Sequence, residues 1–365
     1  MAESEVQVQC PVQDVPIPDL QAFAPLLERL QTGLPITADE VFPRGTLRAD
    51  GRLDLCKQDA GVLGCQAVTE VLRHTNTVQS LLLGTNGIGD AGAAHVAALV
   101  RDQPLRTVYL GCNLIGAPGT ESLATAIRAQ PQVKALWLKR NPIGPAGAQT
   151  LAQLLRDTST LRTLDVVHTG IGDLGARAIL QALAEGNTSL QYLYLSGNAL
   201  TPAILPDITA VLAQHPSLRG LYLSVNTLGD AGAQGIAAAL GHNTALEVLG
   251  LASCGIGDHG LAALLDAAAA HPHLHTLDVG DAPSARALGA SRNEAGGRTR
   301  AAALHLFSSS ATVRLLQLPR MIDAVHLQAQ APAHLNVRIT GAPGRAGQQP
   351  LPFHEDAADI RSVYR

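Results

Sequence analysis

Leucine-type residues recur along this chain with a period close to 28. Units open at Asp50, Val78, Leu105, Val133, Leu161, Leu190, Leu218, Leu246 and Leu274, at spacings of 28, 27, 28, 28, 29, 28, 28 and 28 residues. Self-similarity at a fixed period of this size marks a stacked-repeat architecture. The shared pattern is LxxLxLxxNxIGxxGxxxLxxxL, cleanest in "VQSLLLGTNGIGDAGAAHVAALV" and "LRGLYLSVNTLGDAGAQGIAAAL". A partial tenth unit, "VRLLQL" at 313–318, follows a longer interval.

Inside each unit the hydrophobic period changes. Positions 1, 4 and 6 are apolar and predict a short strand with one buried face. Position 9 is Asn86, Asn113, Asn141, Asn198 and Asn226, with Thr169 and Cys254 as substitutes. An Asn there can bond the turn leaving its own strand and the turn of the adjacent repeat, a ladder that satisfies buried amides. Position 11 is Ile or Leu and supports the turn from below. A helix follows, with Asp90, Asp173, Asp230 and Asp258 at the expected N-cap, Pro118 near the first helical position and Pro145 at the cap. Leu, Val and Ile line its inner stripe and Ala fills the rest, as in "AGAAHVAALV".

Two units break the pattern. In unit six, "NALTPAILPDITAVLAQHP", Pro202 and Pro206 delay the helix. Unit nine loses the repeat after "LHTLDVGDA", and "PSARALGASRNEAGGRTR" at 283–300 reads as a protruding or mobile loop, with a helix resuming in "AAALHLF". The ends of an array must be capped. Residues 1–49 form the expected N-terminal cap, with a helix in "DLQAFAPLLERLQ". Residues 50–318 hold the repeats, and 319–365 a C-terminal cap and tail, with one strand candidate in "LNVRIT" at 335–340.

These repeats resemble the leucine-rich repeats of the ribonuclease-inhibitor type, a class also found in Ran GTPase-activating protein and NOD-like receptors. The resemblance covers roughly residues 50–280 and extends more weakly to 318. It implies an α/β solenoid shaped as a horseshoe, with a parallel sheet on the concave face and helices on the convex face. It is nearly silent on function, because fold does not fix function.

On the concave side the aromatics are concentrated. Positions 3, 5 and 7 of each strand face away from the helices. Position 5 reads Leu82, Tyr109, Trp137, Asp165, Tyr194, Tyr222, Gly250 and Asp278, and Tyr192 stands at position 3. The chain holds only one Trp, five Tyr and four Phe, so half of its aromatics lie in this row, and no Phe joins them. Strand propensity is one explanation. A binding surface is the other, since Tyr and Trp dominate interface hot spots. Trp137, between the core residues Leu136 and Leu138, is expected to face water. Basic side chains flank the row: Arg106, Lys134, Arg162 and Arg219 at position 2, with Lys139, Arg140 and His168 at positions 7 and 8. They are either a solvated edge or a surface for a partner with an acidic patch.

Composition adds limits. Apolar residues make 46 % of the 365 and aromatics 3 %, so the core is aliphatic. A net charge of −4 gives no argument for nucleic acid. The N-terminus lacks a basic and apolar leader, no stretch is long enough to span a membrane, and five cysteines without CxxC pairing read as reduced thiols of a cytoplasmic protein. Three lysines against 23 arginines, with abundant Ala, Gly and Pro, suggest a GC-rich bacterial source.

There is no P-loop, GxSxG, HExxH or dinucleotide fingerprint. "HPHLHTLD" alternates His271, His273 and His275, read as an exposed ascending loop rather than a metal site. Cys56 beside Lys57 could carry thiolate character on the concave face, yet a first-repeat structural role is favoured. His168 beside Asp165 could orient an imidazole, but no nucleophile accompanies them. The sequence therefore points to a non-enzymatic scaffold without cofactor or metal, binding a protein or peptide. The alternatives are a regulator of a small GTPase, or an effector or substrate-positioning partner in a modification pathway, the effector delivered by secretion without a readable signal.

Overall fold

The computed structural model describes residues 16–343 together with Val8, Cys10, Val12 and Asp14. The rest of the expected N-terminal cap and the tail beyond Pro343, with "GRAGQQPLP" and "IRSVYR", lie outside the described residues. The chain divides after Ala182 into two compact units.

In the first unit a short 3₁₀ turn, Leu20–Phe23, leads into α1, Ala24–Gln31. Phe23, Leu26 and Leu30 bury one side of it, as the spacing requires. Strands β1 (Glu40–Val41) and β2 (Thr46–Leu47) pair antiparallel and hand over, again antiparallel, to β3 (Arg52–Asp54). From β3 onward every pairing is parallel: β4 (Ser80–Leu82), β5 (Thr107–Tyr109), β6 (Ala135–Trp137) and β7 (Thr163–Asp165). Helices α2 (Gly61–Leu72), α3 (Gly89–Asp102), α4 (Ala117–Ala129), α5 (Gly144–Asp157) and α6 (Gly172–Ala184) alternate with them.

The second unit repeats the scheme. Strand β8 (Tyr192–Tyr194) precedes α7 (Leu205–Gln214), and a 3₁₀ turn at Pro202–Ile204 delays that helix, as its prolines require. Then follow β9 (Gly220–Tyr222), α8 (Gly229–Leu240), β10 (Val248–Gly250), α9 (Asp258–Ala270), β11 (Thr276–Asp278), α10 (Gly297–Ser309), β12 (Leu315–Leu318), α11 (Ala324–Ala329) and β13 (Asn336–Ile339). All these strands run parallel in sequence order.

The core between sheet and helices is aliphatic. Leu81, Leu83, Leu136, Leu138, Leu249 and Leu251 are fully buried, with Ile88, Ile115 and Ile256 beneath the turns. Each strand contributes only three residues or so, and the chain leaves it through a left-handed residue at position 8. These are Lys57, Thr85, Cys112, Arg140 and His168 in the first unit, and Gly197, Val225 and Ser253 in the second, with φ between 53° and 70°. For a non-glycine residue this conformation costs roughly 1–2 kcal/mol. It turns the position-8 amide onto the neighbouring repeat: Thr85 N donates to Gly111 O at 2.8 Å, Arg140 N to Val167 O at 2.8 Å and Val225 N to Ala252 O at 2.8 Å.

The asparagine ladder holds those turns. The Asn141 amide nitrogen donates to Leu110 O at 2.9 Å and Leu138 O at 2.8 Å, while its oxygen accepts from Asn113 N at 2.8 Å and Ile115 N at 3.1 Å. Asn86 and Asn226 repeat this with the turns before them. Unit nine has its rung too. Asn293, eleven residues beyond the regular position 9, accepts from Cys254 N at 2.9 Å and Ile256 N at 3.0 Å and donates to Leu251 O and Val279 O at 2.9 Å. The stretch 283–300 is therefore not one protruding loop: an insertion ends at a buried asparagine, and α10 starts at Gly297.

Asp90, Asp230 and Asp258 act differently from expectation. They do not cap their own helices. Asp90, in the first turn of α3, accepts from Gly116 N at 2.7 Å and Gly119 N at 3.0 Å, at the start of α4. Asp230 does the same for α9 through Gly257 N and Gly260 N at 2.7 and 3.1 Å. Asp258 reaches Gly296 N, Thr299 N and Thr299 Oγ1 at the start of α10, at 2.8, 2.7 and 2.7 Å. Burial works to raise the Asp258 carboxyl, but those hydrogen bonds prevail and hold it down to about 2. Pro145 sits inside the first turn of α5, not at the cap.

A third polar position closes each unit. In the second unit Asn187, His215, Asn243 and His271 are buried, just after the helix or before the next strand. Asn243 accepts from Ala245 N and Leu246 N at 3.0 and 2.8 Å, and His271 Nδ1 accepts from His273 N and Leu274 N at 3.2 and 2.9 Å. His271 is thus a turn acceptor inside the protein, not part of an exposed loop, while His273 is exposed.

Two outcomes are expected. Asn141→Ala leaves several buried peptide groups without partners, so it should destabilise the chain by about 3 kcal/mol or more in urea unfolding. Burial holds His215 down to about 4, well below its usual 6.5. A depressed folded value means that its contribution is intact above pH 6.5 and is lost as pH falls toward 4. His215→Asn, the residue already used at 187 and 243, should flatten that part of the stability–pH curve in thermal denaturation.

Candidate functional site

The sheet face turned away from the helices carries the candidate residues. In the first unit, strand register places Asp54, Leu82, Tyr109, Trp137 and Asp165 side by side. The row is as expected, but its exposure is not. Trp137 is only 1 % exposed, Tyr109 2 % and Asp165 0 %, so Trp137 does not face water.

Local sequence makes part of this possible. Glycines at position 7 leave a flat seat: a Cβ on Gly84 would come within 2.3 Å of the Tyr109 ring, and one on Gly111 within 3.0 Å of its Oη. Lys139 Nζ stands 5.7 Å from the ring centroid, within cation–π range. Burial pulls the Lys139 ammonium below its usual value and pushes the Tyr109 phenol up, the latter helped by Cys56 and Asp165. Asp165 has a conformational task as well: its Oδ1 accepts from Val167 N at 2.8 Å. Asp54 and Asp278, at the same unit position, accept likewise from Cys56 N and Gly280 N. Position-5 aspartates therefore shape the strand exit.

The position-2 side chains form a second row. Lys134 N bonds Arg106 O and Arg162 N bonds Lys134 O, which sets Arg106, Lys134 and Arg162 one strand apart, all half-buried. All three are cations. Arg140 and His168 occupy left-handed position 8; Arg140 is half-buried and His168 is 3 % exposed.

In the second unit, Tyr194, Tyr222, Gly250 and Asp278 are register neighbours. Tyr194 and Tyr222 stack with centroids 4.0 Å apart and planes within 3°. Both are half-buried, and Tyr192, at position 3, is 9 % exposed. Gly220 leaves room beside them, since a Cβ there would meet the Tyr192 ring at 2.6 Å. Burial, against a hydrogen bond with Tyr194, pushes the Tyr222 phenol up. The position-2 row here is mixed. Exposed Arg219 bonds Glu247 at 2.9 Å, with His275 Nε2 at 3.5 Å from the same carboxylate, so Arg219 is half of an ion pair and not a further cation of a basic strip.

The thiols settle differently from one another. Burial, then Asp54, pushes the Cys56 thiol far up, against any thiolate character. Cys10 was not singled out by the sequence. Its sulfur takes a hydrogen bond from Cys112, which holds it down to about 6, with the Val12 and Leu114 backbone and Arg140 assisting against burial. Val12 and Pro16 lie near the turn at Gly87. Nothing in the repeat pattern could have paired a residue outside the array with position 8.

Three comparisons with known proteins bear on this geometry. The family described as "Leucine Rich repeat" matches residues 159–180, 186–205, 214–237 and 242–265. The chain carries leucine-rich repeats. Each match spans a strand and the turn after it, and three of the four run on into the following α-helix, while 186–205 ends where α7 begins. No curated protein matches the chain. Among solved structures, "Leiomodin-1 Actin-Binding Site 2 (ABS2)" is 17 % identical with a TM-score of 0.37, covering 44 % of this chain and 87 % of that one. The complex of Rad7 and Elc1 in yeast is 11 % identical with a TM-score of 0.39, covering 75 % and 77 %. In this leucine-rich repeat chain no helix is long and apolar enough to cross a membrane, among the described residues.

Cys10 should be the thiol that reacts near neutrality. Its alkylation by iodoacetamide, followed by peptide mass spectrometry, should rise through pH about 6 and level off above it. Cys112→Ala, which removes the donor, should move that midpoint upward, while Cys56 should stay unlabelled in the folded chain.

Proposed function

We propose that the chain is a non-enzymatic scaffold, built of repeats of the ribonuclease-inhibitor type, that binds a protein or peptide on the open face of its sheet. The observation that carries this reading is the stacked pair Tyr194–Tyr222. Two large rings are held parallel at 4.0 Å on a sheet face and left partly exposed, although the fold fills its core with aliphatic side chains. The strand scaffold fixes both rings before a partner arrives, and pre-set aromatic area with polar hydroxyls is the composition of an interface centre.

The one-sign row Arg106, Lys134 and Arg162 on the first unit supports a partner segment that carries carboxylates. Apolar or aromatic side chains on that segment would meet the tyrosines.

The test begins with affinity purification from the source cells, identification of the partner by mass spectrometry and calorimetric titration. Tyr194→Ala with Tyr222→Ala should weaken binding at least ~30-fold, the effect of losing a hot spot worth about 2 kcal/mol. The melting temperature should stay close to that of the parent chain, because neither ring belongs to the aliphatic core. Unchanged affinity overturns the reading.

A further inference from the structure

Of the position-5 residues from Leu82 to Asp278, only Gly250 lacks a side chain. It sits in β10 between Tyr222 on β9 and Asp278 on β11, its register neighbours. Its φ lies outside the left-handed region, so the backbone does not require a glycine there. What the missing side chain leaves is space. The three atoms nearest to a Cβ at this position would belong to Tyr222 and Ser224, at 3.3 to 3.6 Å, and none to Asp278. Two strand gaps of ~4.8 Å put the Tyr222 and Asp278 columns about 9.6 Å apart.

Both walls of this seat have defined chemistry. Tyr194 lies parallel to the Tyr222 ring at 4.0 Å and covers one of its faces, so the other face looks across Gly250. The face of an aromatic ring is its negative side. Opposite stands Asp278, half-buried. Its Oδ1 accepts from Gly280 N at 3.0 Å, and Oδ2 has no hydrogen-bond partner among the described residues. Asp281, at the strand exit, adds a second carboxylate, whose Oδ1 is buried without a partner among the described residues. Burial, with Asp281 adding to it, pushes the Asp278 carboxyl up to about 6 against the Gly280 N–H and Arg338. A carboxylate in that condition is short of positive charge. The next cation along the row is Arg338, two strands beyond it on β13.

A ring face and a carboxylate, with no side chain between them, select a planar cation. A guanidinium can stack within ~6 Å of the ring centroid and still fork its N–H groups onto the carboxylate. An ammonium has no plane to stack. We propose that the seat formed by Tyr222, Gly250 and Asp278 takes an arginine side chain of the protein or peptide partner, stacked on the ring and paired with the carboxylate. This rests on the binding reading above and names the side chain that the tyrosine pair receives.

The test uses a small probe and no partner. Nα-acetyl-arginine amide is titrated into the full chain and followed by saturation-transfer NMR. Its citrulline counterpart, of the same shape without the charge, is run beside it. The arginine probe should bind at least ~10-fold more tightly. Asp278→Asn, which keeps the acceptor for Gly280 N, should remove that preference. Gly250→Leu should weaken the arginine probe by a similar factor, because it fills the seat with the residue that Leu82 places at the same repeat position. Circular dichroism should show both variants folded. Arginine affinity should also fall several-fold below pH about 6, where Asp278 takes up its proton. The titratable and charged groups around that carboxyl are Asp281 on its own turn, Cys254 after β10 and Arg338 on β13. Equal affinity for the two probes overturns the proposal, as does a chain that binds neither. Full arginine binding by folded Asp278→Asn or Gly250→Leu does so too. If the probe fails while Tyr194→Ala with Tyr222→Ala still loses the partner, the binding reading stands and only the assigned side chain falls.

Discussion

A three-residue strand that turns sharply into the protein interior buries more peptide groups than its own hydrogen bonds can serve. The position-9 asparagine meets that need. Its amide satisfies carbonyls of its own and the preceding turn, and its oxygen satisfies two amides of the preceding one. The left-handed residue just before it is the cost of bringing the asparagine inward, and it is accepted even at Thr85 and Val225. The forward contact is made by aspartate, whose carboxylate holds the start of the next helix. A repeat that carries both, such as those of Asn86 with Asp90 and Asn226 with Asp230, is thus tied backward by an amide and forward by a carboxylate. Stability in such an array lies in the junctions between neighbours as much as in the units.

Much of this was legible because periodicity reports burial. The leucines, the five regular asparagines and the delay before α7 could be read from spacing alone. The misreadings share a cause. Asp90, Asp230 and Asp258 look like caps of their own helices because sequence shows what is adjacent, while the N–H groups that donate to them lie a whole repeat away. Asn293 was hidden because the insertion shifts its phase, although its environment matches Asn141. His271 read as part of an exposed loop, yet it does what Asn243 does one repeat earlier.

The candidate site was legible in direction and not in exposure. Alternation placed Tyr109, Trp137, Tyr194 and Tyr222 on one side of their strands, and the register confirms the neighbours within each unit. Whether a ring on that side meets water depends on what lies above it, which no strand pattern encodes. Likewise Arg219 counted as a cation until Glu247 was found beside it. A faint signal for the ring seats did exist: Gly84 precedes Tyr109 by nearly one repeat, and Gly220 follows Tyr192 by one.

The displaced rung at Asn293 shows where the array tolerates change. Between Gly280, whose carbonyl still receives Ser253 N, and Asn293, which still closes the turn, additional chain is accommodated without losing either tie. The repeat reads its neighbour through a few fixed contacts and ignores the length of backbone between two of them. That gap is a port in the scaffold: a place where new sequence can be hosted on one edge while the aliphatic interior, and the sheet face it supports, carry on unaltered.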